Sequence, residues 1–186
     1  MTPPARPEFV VDTSRLTLRQ LTPDDAPFIL ELVNDPDWIR YIGDRGVRDL
    51  DDARRYITDG PMASYDRHGF GLYLVTVRAD ATPIGICGLI QRESLPAPDL
   101  GFAFLPAFRG AGYASEAAAA IVRLAPEIAG ARELYAVVQP DNTRSFDLLG
   151  RLGFRPAGTT HLVPDGPALA LLSMSVGGVA ERPSAP

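Results

Sequence analysis

The chain has no lysine: all 18 of its cationic side chains, in 186 residues, are arginine. That excludes the phosphate-binding loop of nucleotide hydrolases, in which the lysine of Gly-Lys-Ser/Thr reaches the phosphates. Cysteine is almost as scarce. Cys87 alone cannot form an internal disulfide, so a reducing, cytoplasmic setting is expected. Two histidines and one cysteine offer no recognisable metal spacing, and no metal is expected. No apolar run approaches the ~20 residues of a membrane span. The first ten residues hold three prolines and no apolar core, so no secretory leader is expected either. A net charge of −5 argues against a nucleic-acid surface.

What is present is the composition of an ordinary soluble protein, 46% hydrophobic and 22% charged. At this length one domain with a substantial core is the default. The charge is uneven: residues 1–66 hold 13 acids and 8 arginines, and the remainder 10 of each. Such a surplus would favour a cationic substrate entering near the first third, and a solvated acidic face explains it equally well.

Local patterns give a mixed α/β order. Residues 1–13 read as a loose arm. Residues 16–21 alternate apolar and polar, as a half-exposed strand does. Thr22-Pro23-Asp24-Asp25 opens a helix through Phe28, Ile29, Leu32 and Val33 that should stop near Asp35-Pro36. A turn carrying Trp38, Ile39, Tyr41 and Ile42 leads to a helix over 50–58. Strands are expected over 69–77 and 84–91, joined as an antiparallel hairpin at Asp80-Ala81-Thr82-Pro83, and again over 99–105. A helix beginning near Ala114 should end or kink at Pro126. Then come a strand over 133–138, a helix over 142–152 stopped by Gly153, and a last hairpin from Phe154 to Met174. Residues 177–186 read as a disordered tail, which leaves one domain over 14–176.

The stretch that carries chemistry is Phe108-Arg109-Gly110-Ala111-Gly112-Tyr113-Ala114-Ser115-Glu116, between a strand and a helix. The first turn of a helix has unpartnered N–H groups, and small residues let an anion approach them. An ordinary strand-to-helix connection accounts for the same glycines. A dinucleotide fingerprint is excluded, because Ser115 stands where its third glycine belongs. Cys87 lies in an apolar strand and reads as core, and no serine or cysteine has a visible activating base.

Arg109 to Ala114 resembles the acyl-CoA pyrophosphate loop of the GNAT acetyltransferases, Arg/Gln-x-x-Gly-x-Gly/Ala. Four further segments resemble the branch related to ribosomal-protein N-terminal (Rim-type) acetyltransferases: Ser14 to Arg19, Thr22 to Ala26, Asp99 to Phe102, and Val138 to Phe154 with its Asn142, Ser145 and Leu-Gly-Phe-like end. The resemblance spans residues 14–175. It implies an α+β fold with a largely antiparallel sheet of about seven strands, splayed between the fourth and fifth and flanked by about four helices.

It also implies acetyl-CoA as cosubstrate and direct transfer of the acetyl group to a primary amine, on a peptide N-terminus or a small molecule. By the same resemblance, backbone at Phe104 and Leu105 would pair with the pantetheine arm. The amides of Arg109, Gly110, Ala111, Gly112, Tyr113 and Ala114 would hold the pyrophosphate, with Arg109 adding charge. Asn142 would face the cofactor, and Ser145 would contact it and protonate the leaving thiolate, since Leu149 replaces the tyrosine that many relatives use. Asp99 would be the base, acting through water because its side chain is short. An indirect base suits an α-amine, with a pKa near 8, better than a lysine amine near 10.4. Trp38, Tyr41, Tyr65 and His68 are candidates for the acceptor wall. A catalytically silent acyl-CoA-binding domain of the same fold is the alternative, and a homodimer is admitted.

Overall fold

A computed structural model describes residues 10–177. Alternation in the sequence becomes strand where expected: β2 (Leu16–Gln20) turns Leu16 and Leu18 fully inward. It pairs with β1 (Val10–Asp12), so part of the expected arm is strand. The arm before Val10 and the tail from 178 lie outside the described residues. β3 (Leu72–Val77), β4 (Pro83–Ile90) and β5 (Asp99–Phe104) continue an antiparallel meander. β6 (Glu133–Val138), β7 (Arg155–Thr160) and β8 (Leu169–Ser175) complete one eight-stranded sheet in the order β1-β2-β3-β4-β5-β6-β8-β7.

Among the described residues, six α-helices flank this sheet. α1 (Ala26–Val33) buries Phe28, Ile29, Leu32 and Val33, the stripe read from the sequence. The expected turn after it is instead α2 (Pro36–Tyr41). Asp35 caps this helix by accepting hydrogen bonds from the N–H groups of Asp37 and Trp38, and Pro36 occupies its first position. α3 (Leu50–Ile57) does not stop at Gly60-Pro61; a wide π turn over Thr58–Met62 carries the chain into α4 (Ala63–His68). α5 (Tyr113–Ala129) runs through Pro126, and α6 (Thr143–Leu152) is closed by Gly153.

Two buried clusters lie on opposite faces of the sheet. One joins Leu16, Leu18, Leu89 and Leu134 to Ala117, Ile121 and Leu149 of α5 and α6. The other joins Leu74 and Ile86 to Ile29, Leu32, Trp38 and Ile57 of α1, α2 and α3. The sheet itself is interrupted. β5 and β6 run parallel with a single register pair, Asp99 with Tyr135, and the Tyr135 N–H donates to Pro98 O at 3.0 Å. Beyond that pair the strands part. The splay expected between the fourth and fifth strands is therefore here, between the fifth and sixth once β1 is counted.

Candidate active site

Where β5 and β6 separate, a cleft of about 1070 Å³ opens. Its walls come from β5 (Leu100, Phe102, Phe104), β6 (Ala136 to Gln139), α2 (Trp38, Arg40, Tyr41), the glycine loop and α6 (Asn142 to Ser145, Leu148, Leu149). The exposed backbone edge inside it follows from ladder alternation. Leu105 N–H donates to Ile84 O, which commits Leu105, Ala103 and Gly101 to β4 and turns the polar groups of Phe104 and Phe102 toward the gap. Of the two residues expected to offer backbone there, Phe104 does and Leu105 does not. The Phe104 carbonyl already accepts Arg109 Nε–H at 2.8 Å.

At the mouth of the cleft, Gly110 (φ +80°) and Gly112 (φ +83°) take left-handed conformations that let the chain reverse into α5. Gly112 is the N-cap and makes no side-chain cap. The N–H groups of the first turn, at Tyr113, Ala114 and Ser115, thus stay available, at the positive end of a 17-residue helix. Gly110, Gly112, Ala114 and Ser115 line the cleft. The side chains of Ala111 and Tyr113 turn elsewhere, Tyr113 lying under the Arg15 guanidinium at 4.5 Å.

A contact between distant segments fixes this loop. Glu116 Oε1 accepts hydrogen bonds from Thr13 Oγ1 (2.6 Å), Ser14 Oγ (2.9 Å) and Arg15 N–H (2.9 Å), and Oε2 accepts from Arg15 Nε (2.7 Å). Arg15 Nη1 then donates to Ala111 O at 2.9 Å. Burial works against the Glu116 carboxylate, but these donors win and hold its pKa down at about 2.

Arg109 does not point at the open helix end. Its guanidinium meets Asp37 Oδ2 at 2.6 Å and Asp35 Oδ1 at 2.5 Å, in addition to the Phe104 carbonyl. The charge expected near the phosphates is thus committed to α2. Across the mouth, Arg40 of α2 pairs with Asp141 of the β6–α6 turn at 2.7 Å.

On the far wall, Asn142 Oδ1 accepts the Ser145 N–H at 3.2 Å and so caps α6, and both residues line the cleft beside Leu149. Trp38 and Tyr41 also line it. Tyr65 does not: it is core, its hydroxyl donating to Leu72 O and accepting Leu21 N–H. His68 is exposed at the end of α4, its ring 5.9 Å from that of Phe70 and outside the cleft. Asp99 lies at the closed end of the splay and is 2% exposed, its Oδ1 accepting Arg92 Nε–H at 2.8 Å. Burial raises its pKa despite Arg92. Its carboxylate does not line the cleft. Cys87 is fully buried, which pushes its thiol pKa up.

The profile of the acetyltransferase (GNAT) domain family matches residues 15–155, three quarters of the chain. The chain belongs to the GNAT acetyltransferases. It is 28% identical over 148 residues to the N-acetyltransferase p20 of Bacillus licheniformis, whose own activity is uncharacterized, covering 78% of this chain and 82% of that protein. Among solved structures it is similar to an acetyltransferase from Agrobacterium tumefaciens, with a TM-score of 0.73 and 26% identity over 89% of this chain and 94% of that one. It also superposes on the ribosomal-protein α-N-acetyltransferase RimL bound to coenzyme A, with a TM-score of 0.77 over 90% of this chain and 98% of that one; at 17% identity this likeness concerns the fold. GNAT enzymes use acetyl-CoA as cosubstrate, and the cleft fits it chemically: unpartnered helix N–H groups at one end for the diphosphate, and an open strand edge for the extended amide-bearing arm.

Proposed function

We propose that this N-acetyltransferase transfers the acetyl group directly from acetyl-CoA to an α-amine, with the N-terminus of a peptide as the acceptor class. The observation that carries this reading is the continuity of the cleft. The free N–H groups at Tyr113–Ser115, the strand edge at Phe102 and Phe104, and the Ser145 wall lie along one groove that α2 borders on the acceptor side. In this reading the loop amides from Gly110 to Ser115 hold the diphosphate. The Phe102 and Phe104 backbone pairs with the pantetheine amides, and Asn142 orients the first turn of α6.

The amine nitrogen attacks the thioester carbonyl carbon, a C–N bond forms and the C–S bond breaks. The leaving thiolate takes the Ser145 hydroxyl proton, which solvent restores, and the ammonium proton leaves through water. Asp99 enters only at the end of that water path. Its burial and its pair with Arg92 equally favour a second role, holding residues 92–98 against β5 at the closed end of the splay. No acyl-enzyme is needed, since the fully buried Cys87 is out of reach. An α-amine suits a site without a contacting base: deprotonation at pH 7.5 costs about 0.5 kcal/mol for an α-amine and about 4 for a lysine amine. The Rim-type structural neighbours, which act on ribosomal-protein N-termini by name, are consistent with this acceptor.

The test is release of coenzyme A thiol across N-terminal peptides, amino acids, polyamines and aminoglycosides at pH 7.5. Turnover on peptides with free α-amines and none on the same peptides with blocked N-termini is expected. Preference for internal lysines would overturn the acceptor assignment.

A further inference from the structure

The strongest unexplained feature beside the cleft is the commitment of Arg109. This residue sits in the glycine loop, yet its three hydrogen bonds leave the loop: Nε to Phe104 O, Nη1 to Asp37 and Nη2 to Asp35. Asp35 is 7% exposed and its Oδ1 also caps α2 through the N–H groups of Asp37 and Trp38. A buried carboxylate in that position needs the cation, because an unpaired buried charge is costly. Asp37 is more open, but it lines the cleft on the same side as Trp38, Arg40 and Tyr41. One guanidinium therefore joins the end of β5, the cofactor loop and the helix that forms the acceptor wall.

We propose that Arg109 is a positioning residue that couples occupation of the glycine loop to the order of α2, so that acetyl-CoA binding prepares the acceptor wall. This rests on the loop being the acetyl-CoA site. An anion seated on the Gly110–Ser115 amides fixes the backbone on either side of Arg109, and a fixed Arg109 holds Asp35 and Asp37 in place. The Asp35 cap then holds the first turn of α2. Linkage makes the effect reciprocal: an ordered acceptor wall also strengthens acetyl-CoA binding.

Hydrogen exchange tests this, with acetyl-CoA as the probe, on the wild type, Arg109→Gln, Arg109→Lys and Asp37→Asn. Calorimetry runs in parallel to ensure saturation. In the wild type, acetyl-CoA should slow exchange both in 113–118 and in 37–42. In Arg109→Gln the protection of 113–118 should remain while that of 37–42 falls by about fivefold or more, the lower end of coupling between linked sites. Asp37→Asn, which leaves Arg109 on Asp35 alone, should give a smaller fall in the same direction. Arg109→Lys, which reaches one carboxylate at a time, should lie between. Trp38 is the single tryptophan of the chain and sits on α2, so its emission change on acetyl-CoA binding should be lost in the same variants. Should Arg109→Gln not fold, Asp37→Asn carries the expectation in the same direction, a loss of protection of 37–42 relative to the wild type with 113–118 unchanged, since it removes only a half-exposed partner. Equal protection of 37–42 in all four proteins, or protection of 113–118 alone in the wild type, overturns the coupling and leaves the cofactor site standing. Protection of neither segment overturns the cofactor site, and the coupling with it.

Discussion

Replacing Glu116 by glutamine isolates the contact that ties the start of the chain to the cofactor loop. Glutamine keeps the size of the side chain and an oxygen that accepts from Thr13, Ser14 and Arg15 N–H. It loses the charge, and its amide nitrogen faces the Arg15 Nε donor that the carboxylate now satisfies. Each factor of ten in proton affinity corresponds to about 1.4 kcal/mol, so a pKa held at about 2 instead of 4.5 sets a ceiling of about 3 kcal/mol. Arg15 is 45% exposed, and solvent screening of that partner lowers the expectation to about 2 kcal/mol. In a chain of this size that is a fall of about 4–8 °C in melting temperature.

The pH dependence distinguishes the charge from simple packing. The folded-state pKa lies below the unfolded one, so the stabilisation is fully present above the unfolded pKa of 4.5 and is lost as pH falls through about 2. Denaturant titrations of the wild type and Glu116→Gln at pH 7, 5, 4 and 3 should therefore show a gap of about 2 kcal/mol that narrows below pH 5. A gap that stays constant to pH 3, or one under about 0.5 kcal/mol at pH 7, would refute the reasoning.

Gly112→Glu should abolish the thermal shift that acetyl-CoA gives the wild type, about 2.7 kcal/mol at 100 times its dissociation constant, because a side chain there is strained at φ +83° and puts negative charge at the helix end. Ser145→Ala should lower kcat by about 10²-fold or more if its hydroxyl protonates the thiolate, with little change in melting temperature. Asn142→Ala should instead cost about 1 kcal/mol of stability through the lost cap. Asp99→Asn separates its two roles: loss of the acid limb of kcat/KM against pH supports proton transfer, whereas lost stability with an unchanged limb supports the staple with Arg92. Cys87 should resist Ellman's reagent in the native protein and react on unfolding, so thiol-release assays carry no background from the enzyme.

The glycine loop and its open helix end were legible because they are made from consecutive residues: two glycines, small neighbours and a helix start carry their geometry in the local backbone. The helices bordering the acceptor side were harder. Asp35-Pro36 was read as the stop of one helix, but the same pair is the cap and first position of the next, and α2 is too short for a periodic pattern. The helix expected to end at Thr58 does not end there: a π turn over Thr58–Met62, with Pro61 inside it, carries the chain on into α4. Pro126 likewise sits within α5 without ending it. Glu116 with Arg15, and Arg109 with Asp35 and Asp37, join residues 101, 74 and 72 apart in sequence. No spacing rule reaches that far.

The acidic surplus of the first third shows the same division. Asp44, Asp49, Asp51 and Asp52 are used locally, in ion pairs with Arg48, Arg54 and Arg55 and in the cap of α3, so these acids serve surface and helix-end chemistry. Asp35 and Asp37 belong to a different set, because their partner is an arginine of the cofactor loop. The cleft beyond them is lined by Arg144, Arg151 and Asp147, and by Arg40 in its pair with Asp141, a small cationic excess that suits a phosphate-rich cosubstrate. In the proposed reading, acceptor choice falls to the apolar and aromatic side of α2. Tyr41 and Ile42 line the cleft there, with Ile42 41% exposed. In that reading a peptide N-terminus offers this face its first side chains along with a single amine.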